Sequence, residues 1–309
     1  MTGCYNNAMK SRLALLWKAA FLFLISAFLA SNGLAAEVPE HPLLEQAKRE
    51  CAQRMRYALD NGARVELTSD GKSFYVLWLP ENTDPANPPP MIVTIHGHGS
   101  WAFDEFYLWH KAAKDRGYGI LTIQWWLGKG ERFQDYLVPR EIYRLIEEVL
   151  KRERAKPGTA LFHGFSRGSA NCYAVAALDR QTGNDYFALI VANAGKPGLD
   201  FPPNSDIEQG KFGPEPLKGT HWVTFAGGQD PNPERSGIYG MREAAEWIRK
   251  YGGTVDRMIE DANSGHGGFH RNAKNMDAAL EVFEARLKKT PPIKETGASR
   301  KQNDNIQKP

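Results

Sequence analysis

Three side chains in separate glycine-containing segments have the types needed to activate an alcohol for nucleophilic attack: Ser166, Asp230 and His266, in that order along the chain. A serine hydroxyl is a poor nucleophile at neutral pH, so it needs an imidazole that takes its proton and later gives it to the leaving group. A carboxylate beside the imidazole fixes its tautomer and stabilises its protonated form. These residues predict acyl transfer, with Ser166 as nucleophile, His266 as base and Asp230 as the orienting acid.

The segment around the serine reads Gly-Phe-Ser-Arg-Gly over residues 164–168. It follows an apolar segment that ends at His163, and it precedes an alanine-rich segment over residues 170–178. A strand, a tight turn and a helix in this order predict a sharp elbow that exposes the hydroxyl of Ser166. The hydroxyl would lie at the N-terminus of the helix, where the helix dipole favours developing negative charge.

Other residues of the same types offer substitutes for two of these roles. His270 lies four residues after His266 and is a second candidate for the base, although we expect it to begin the last helix. Asp261 and Glu234 are further candidates for the acid. The remaining histidines are expected to be structural or solvated: His41, His110, His163 and His221.

A second glycine-rich segment, His-Gly-His-Gly over residues 96–99, follows another apolar segment. Its main chain predicts an oxyanion donor, since glycine lets backbone N–H groups approach a substrate closely. The donor is the N–H of His98 or of Gly99, opposite the N–H of Arg167. The alternative is that His96 and His98 form a metal-binding pair, but no clustered carboxylates or cysteines complete such a site, and we predict no metal and no cofactor.

The elements that must position these loops alternate along the middle of the chain. Short, almost wholly apolar segments predict buried strands of a parallel sheet, at residues 91–95, 119–125, 159–163, 187–191, 221–226 and 254–259. Helical stripes lie between them and after the last, with apolar positions over residues 142–150, 241–248 and 276–287. Repeated strand–helix units predict an α/β fold with a doubly wound sheet, whose ligands bind at the carboxyl ends of the strands.

Two further elements precede the parallel sheet. Residues 44–59 carry apolar side chains at helical spacing, and Asn61-Gly62 ends that helix. Two β-rich segments flank Asp70-Gly71 and predict an antiparallel hairpin.

The order Ser…Asp…His, with each residue after a predicted strand, resembles the α/β-hydrolases, whose nucleophile elbow, acid and histidine follow that order. The resemblance covers roughly residues 65–287. It implies an α/β-hydrolase fold with a mostly parallel sheet, an antiparallel N-terminal hairpin and no large cap, since residues 194–219 read as a Pro/Gly-rich loop. The loop His-Gly-x-Gly is similar to that of secreted esterases of the feruloyl-esterase, polyhydroxybutyrate-depolymerase and dienelactone-hydrolase groups. Many of those have glycine where this chain has Ser169.

Three tryptophans fall near the predicted active face: Trp101, Trp125 and Trp126. Trp101 follows the oxyanion segment, and the other two close a predicted strand. They are candidate aromatic walls for an acyl or sugar-like group.

The N-terminus has the pattern of a secretory signal over residues 1–36. Basic Lys10, Arg12 and Lys18 precede an apolar segment over residues 19–30, and small residues follow at 33–36. The alternative is an uncleaved anchor, which would have to bury Lys18. We expect an exported protein, periplasmic or secreted, with a hydrolase domain over residues 37–289 and a disordered polar tail over 290–309.

Composition excludes several classes of protein. Hydrophobic residues make up 42% of the 309 residues, enough for a substantial core, and three cysteines exclude a disulfide scaffold. Without residues 1–36 the chain has 36 basic and 36 acidic side chains, so we predict no nucleic-acid partner and membrane contact only during export. Cys51 and Cys172 would remain, and we expect buried thiols, with a disulfide as the alternative.

The sequence therefore predicts an exported serine hydrolase of small or polymeric carboxylic esters. The alternatives are a peptidase or an acyltransferase on the same fold, or a binding protein that has lost turnover.

Overall fold

One eight-stranded sheet organises residues 38–289, which are the residues that the computed structural model describes. The strand order is β1-β2-β4-β3-β5-β6-β7-β8, and pairing is parallel from β4 through β8 but antiparallel at β1 and β2. The strands are β1 Arg64–Leu67, β2 Phe74–Trp78, β3 Met91–Ile95, β4 Gly119–Ile123, β5 Ala160–Phe165, β6 Phe187–Asn193, β7 His221–Gly227 and β8 Thr254–Asp261. The mostly parallel sheet and its N-terminal hairpin are confirmed.

Helices connect the strands and cover the sheet. They are α1 Pro42–Glu50, α2 Ala52–Asp60, α3 Ala102–Arg116, α4 Pro139–Arg152, α5 Arg167–Thr182, α6 Pro202–Glu208, α7 Ile238–Lys250, α8 Gly268–Arg271 and α9 Ala273–Leu287. Arg116 of α3 bonds Asp277 and Glu284 of α9, so these two helices are neighbours. On α4, Ile142, Ile146 and the other apolar side chains of its stripe are buried.

The first predicted helix is in fact two helices. Helix α1 ends at Glu50 and α2 begins at Ala52, because Cys51 between them has a non-helical backbone, with φ −131° and ψ 29°. The Cys51 thiol points at Asp104, with Sγ 3.6 Å from Oδ1. Burial, with Asp104 adding to it, raises the pKa of this thiol to about 12. Cys51 and Cys172 are both buried and do not form a disulfide, which confirms the prediction of buried thiols.

The segment predicted as a loop over residues 194–219 contains the seven-residue helix α6. Pro202 and Pro203 begin it, where proline is tolerated because the first helical N–H groups lack intrahelical acceptors. Phe201, just before it, packs edge-on against Phe133 with ring centroids 5.4 Å apart. The loop prediction was therefore wrong for residues 202–208, although so short a helix is no large cap.

No helix within residues 38–289 is long and apolar enough to cross a membrane. The predicted signal segment over residues 1–36 and the predicted tail over 290–309 lie outside the described residues, as does residue 37.

Candidate active site

Ser166, His266 and Asp230 form one chain of hydrogen bonds at the carboxyl ends of β5, β7 and β8. The Ser166 Oγ lies 2.9 Å from His266 Nε2, and His266 Nδ1 lies 2.7 Å from Asp230 Oδ2. The other carboxylate oxygen, Oδ1, accepts from Ser236 Oγ at 2.8 Å and from the Asn232 N–H at 2.9 Å. Asp230 is buried, and these donors compensate its negative charge. The carboxylate in turn fixes the orientation of the His266 ring.

The backbone at Ser166 is strained. Its φ of 53° and ψ of −113° lie in a region that residues other than glycine rarely adopt. Such a conformation costs about 1–3 kcal/mol and persists only where the surroundings enforce it. Here the Ser166 N–H donates to the Asn193 carbonyl at 2.8 Å, and helix α5 starts at the next residue. The turn is the sharp elbow that the sequence predicts.

The two glycines of the elbow are required by close packing. A Cβ at Gly164 would lie 2.5 Å from Cys172 Sγ and from the Gly168 carbonyl oxygen. A Cβ at Gly168 would lie 2.6 Å from the carbonyl oxygens of Ile95 and His96 at the end of β3. The elbow is thus wedged against its own helix and against the segment that leads to the predicted oxyanion donor.

That donor segment runs directly beside the serine. A Cβ at Gly97 would lie 2.9 Å from the Phe165 ring and 3.5 Å from Ser166 Cβ. The Gly99 N–H donates to Tyr136 Oη at 3.1 Å, so it already has an acceptor within the protein. The His98 N–H has no acceptor among residues 38–289, and Arg167 is the first residue of α5, where N–H groups lack intrahelical acceptors. Of the two predicted alternatives, the geometry favours His98 over Gly99 as the partner of Arg167.

The ring of the candidate base His270 is buried, and it takes no part in the hydrogen bonds that join Ser166, His266 and Asp230. Its ring packs against Trp109 and His163, with centroids 5.1 and 5.2 Å away, and both ring nitrogens are buried without a hydrogen-bond partner. Burial lowers its pKa to about 3. It lies in the separate short helix α8 and not at the start of the last helix, so that prediction was wrong.

The candidate acid Asp261 holds the segment that precedes His266. Its Oδ2 accepts from Ser264 at 2.6 Å, Asn272 at 2.7 Å and Asn275 at 2.8 Å. These donors hold the pKa of its carboxyl far below the usual range. The structure therefore brings Asp230, and not Asp261, to His266.

The proposed metal pair does not form. The His96 ring is fully buried, with Nδ1 against the Gly97 carbonyl at 2.8 Å, and burial lowers its pKa to about 4. The His98 ring lies instead beside Tyr136 and Arg167, with Nδ1 3.2 Å from each. Neither histidine belongs to a group of three potential metal ligands within the described residues.

One other trio of potential ligands exists within residues 38–289. Ligand atoms of Glu105, His163 and His270 lie within 4.8 Å of one another. His163 is already occupied, because Thr94 Oγ1 lies 2.8 Å and Trp109 Nε1 lies 3.3 Å from its Nδ1. The trio does not line the cavity at Ser166. Within it, Glu105 and His163 have hydrogen-bond partners, whereas the His270 ring has none among the described residues.

A cavity of about 550 Å³ opens over Ser166 and His266. Two aromatic and several charged side chains line it, including Phe133, Phe201, Arg167, Lys196, Asp200 and Arg235. Sequence reasoning missed most of these side chains, because they come from loops that carry no catalytic pattern. The proline-rich loop after β6 was the one available signal, and it contributes Lys196, Asp200 and Phe201.

The three tryptophans do not line this cavity, so the prediction of aromatic walls was wrong. Trp125 is 1% exposed, and its Nε1 donates to the His96 carbonyl at 2.9 Å. Trp101 is 4% exposed and packs edge-on against Trp126 at 5.4 Å. Burial of apolar area outweighs proximity in sequence to the active face, and of the three rings Trp125 contacts the main chain of the oxyanion segment at His96.

No protein-family model and no curated protein matches this sequence. Solved structures do match its fold. Esterase 2 of Thermogutta terrifontis, solved as the form phosphoramylated by tabun, aligns with a TM-score of 0.54 at 15% identity over 75% of this chain and 97% of that one. A bacterial heroin esterase aligns with a TM-score of 0.54 at 16% identity over 82% and 95% of the two chains. An esterase of Pyrobaculum calidifontis gives 0.53 at 12% identity over 81% and 99%.

The sheet order, the elbow and these structural neighbours define the chain as having the α/β-hydrolase fold, which confirms the predicted fold class. The closer resemblance to feruloyl esterases, polyhydroxybutyrate depolymerases and dienelactone hydrolases stays a prediction.

Proposed function

We propose that the protein is a serine hydrolase that cleaves carboxylic esters through an acyl-enzyme. The observation that carries the proposal is the chain of hydrogen bonds from Ser166 Oγ through His266 to Asp230, with spacings of 2.9 and 2.7 Å. Both distances are within hydrogen-bond reach for proton transfer. The esterases among the structural neighbours support the same reaction class.

In the first half of the reaction, Ser166 Oγ attacks the ester carbonyl while its proton moves to His266 Nε2. The Asp230 carboxylate accepts a hydrogen bond from Nδ1–H of the ring and stays ionised, so that it stabilises the imidazolium that forms. The N–H groups of His98 and Arg167 donate to the oxyanion of the tetrahedral intermediate. Collapse of this intermediate breaks the ester bond, and His266 gives its proton to the departing alcohol.

In the second half, water replaces the alcohol. His266 takes a proton from the water as its oxygen attacks the acyl carbonyl. The intermediate then expels Ser166 Oγ, which recovers the proton from His266, and the carboxylic acid leaves. The steps require no group beyond the side chains and N–H groups described.

We further propose export to the periplasm or the medium, on the strength of the sequence pattern in residues 1–36. The substrate would then be an ester outside the cytoplasm, small or polymeric.

The test of the reaction class is a fluorophosphonate probe, followed by intact mass, together with hydrolysis of p-nitrophenyl butyrate. We expect one adduct on the wild type and none on Ser166→Ala, which should also lose at least about a thousandfold in kcat. Ser69→Ala is the matched control, because Ser69 is an exposed serine whose Oγ contacts Arg144 on the surface. A folded wild type that stays unlabelled would overturn the proposal.

A second arm of the same test separates esterase from peptidase. We expect rapid turnover of p-nitrophenyl esters and little of p-nitroanilides with the same acyl group. Comparable rates on both would favour the peptidase alternative.

A further inference from the structure

The cavity over Ser166 has an uneven charge. Apart from Ser166, His266 and Asp230, the lining includes a single acidic side chain, Asp200, and three basic ones, Arg167, Lys196 and Arg235. A cavity lined by one sign of charge concentrates ligands of the opposite sign. The excess of cations therefore favours an anionic ligand.

Two of these cations have carboxylate partners. Lys196 forms an ion pair with Glu243, which lies outside the cavity lining. Arg235 pairs with Asp200 at 3.3 Å, with both side chains more than half exposed. Each of these two cations therefore has a carboxylate as a direct partner.

Arg167 differs from the other two, because it forms no ion pair within residues 38–289. Its Nη1 donates to the main-chain carbonyl of Glu131 at 2.7 Å, and the nearby Glu131 carboxylate lies against the His98 ring instead, at 3.6 Å. The guanidinium also stacks 4.1 Å above the ring of Tyr136. It is thus held in place while its remaining N–H groups are not used by a carboxylate.

The location of this guanidinium is specific. Arg167 directly follows Ser166 in the elbow, and Nη1 lies 3.2 Å from Nδ1 of His98. Its positive charge therefore lies beside His98, whose N–H is proposed to bind the oxyanion together with the N–H of Arg167 itself. An anionic group of a bound ester can reach it without leaving the cavity.

The other lining residues give the cavity an apolar side. Phe133 and Phe201 pack edge-on at 5.4 Å, and Ala170 and Ala194 are buried residues of the lining. Flat apolar groups bind favourably against such rings.

We propose that the preferred substrates are esters that carry a carboxylate, with this carboxylate bound by the Arg167 guanidinium and the apolar part of the ester against Phe133 and Phe201. Arginine suits this role, since its planar fork matches a carboxylate with two parallel hydrogen bonds. The inference rests on the proposed ester hydrolysis and adds the chemical class of the substrate.

The test compares esters that differ only by carboxylate against carboxamide, which have the same shape. In the first pair, 4-acetoxybenzoate and 4-acetoxybenzamide, the carboxylate or carboxamide is on the alcohol part of the ester. In the second pair, monomethyl terephthalate and methyl 4-carbamoylbenzoate, it is on the acyl part. We expect kcat/KM at least about tenfold higher for the acid in one of the pairs, and a smaller ratio in 1 M NaCl because salt screens exposed charges.

Arg167→Gln should reduce this ratio to near one, whereas Arg167→Lys should keep part of it, because lysine retains the charge but not the fork. The control is Arg242→Gln, which removes the same charge from a surface ion pair with Glu260 outside the cavity lining. Its ratio should equal that of the wild type. A wild-type ratio near one in both pairs, or a ratio that Arg167→Gln leaves unchanged, overturns the inference.

Binding to Ser166→Ala, measured by calorimetry with the same four esters, keeps recognition separate from turnover. Hydrolysis of the carboxamides without any preference for the acids contradicts only the substrate class. If neither member of a pair is hydrolysed and Ser166 is not labelled, the proposed function itself fails. Equal binding of acids and carboxamides to Ser166→Ala would then overturn the carboxylate site as well.

Discussion

At the scale of single residues, the site combines a serine with a strained backbone, Ser166, and a buried, hydrogen-bonded carboxylate, Asp230. Asp230 receives hydrogen bonds from His266, Ser236 and the Asn232 N–H, so its orientation is fixed before any substrate arrives. A preorganised carboxylate does not have to reorient when the imidazolium forms. In the proposed mechanism His266 transfers the proton, and Asp230 keeps its ring in the orientation and tautomer that this transfer needs.

Asp230→Asn tests this division of roles. The amide keeps the shape of the side chain but removes the negative charge and favours the wrong tautomer of His266. We expect kcat to fall by about four orders of magnitude with little change in Tm. Asp256→Asn is the control, since Asp256 also pairs with a histidine, His221, at 3.0 Å. This pair lies at the N-terminal ends of β7 and β8, opposite the site. A loss of less than tenfold in Asp230→Asn would contradict the assigned role.

His270 makes stability depend on pH. Its pKa falls from an unfolded value of about 6.5 to about 3 in the folded protein, because the ring is buried. The folded state therefore favours the neutral ring, and this stabilisation is full above pH 6.5 and is lost progressively as pH falls toward 3. Glu105 opposes the shift and His163 adds to it.

His270→Phe keeps an aromatic ring among Trp109, Phe269 and His163 but removes the titrating group. We expect its Tm to fall less than that of the wild type between pH 7.5 and 4.5, as measured by differential scanning fluorimetry. The Tm at pH 7.5 should be maintained, because neither ring nitrogen has a hydrogen-bond partner to lose. Parallel pH curves for the two proteins would show that His270 does not titrate as described.

At the scale of elements, the site depends on the close approach of α5 to the end of β3. Only glycine at position 168 permits this contact with the carbonyl oxygens of Ile95 and His96. The same contact places the elbow and the oxyanion segment side by side. One packing requirement thus places Ser166 beside the N–H groups that, in the proposed mechanism, stabilise the oxyanion.

Gly168→Ala should separate these two elements. A Cβ there would lie 2.6 Å from two main-chain oxygens, which cannot move without displacing the sheet. We expect a loss of about 1–3 kcal/mol in unfolding free energy, measured in urea, together with a large loss of activity. Gly265→Ala is the matched control, because its nearest atom is the Gln229 carbonyl oxygen at 3.5 Å and it should change stability by less than about 0.5 kcal/mol. Equal stability of the two variants would refute the packing argument.

At the scale of the whole molecule, residues 38–289 contain the complete sheet and every side chain assigned a role. The prediction for residues 1–36 is independent of that sheet and is tested separately. When the full chain is expressed in a bacterial host, we expect a mature protein that begins at Glu37, identified by N-terminal sequencing of the periplasmic fraction. A protein that retains Lys18 and sediments with membranes would instead support the uncleaved anchor.

The sequence by itself determined where the strands lie along the chain, the elbow and the types of side chain at the strand ends. These features follow from local rules, such as apolar segments that fit buried strands and glycines that permit a tight turn. A few strand ends shifted: β5 continues to Phe165, and β4 stops at Ile123 before Trp125 turns into the core.

Only the tertiary structure decided which of several similar residues meet. His266 reaches Ser166 while His270 is buried beside Trp109, and Tyr136 takes the Gly99 N–H but leaves that of His98. The tryptophans lie outside the cavity lining, and distant loops supply Phe133 and Arg235 to the cavity. Such outcomes depend on distances between segments far apart in the chain, and these distances are fixed by packing of the whole core and not by any local pattern.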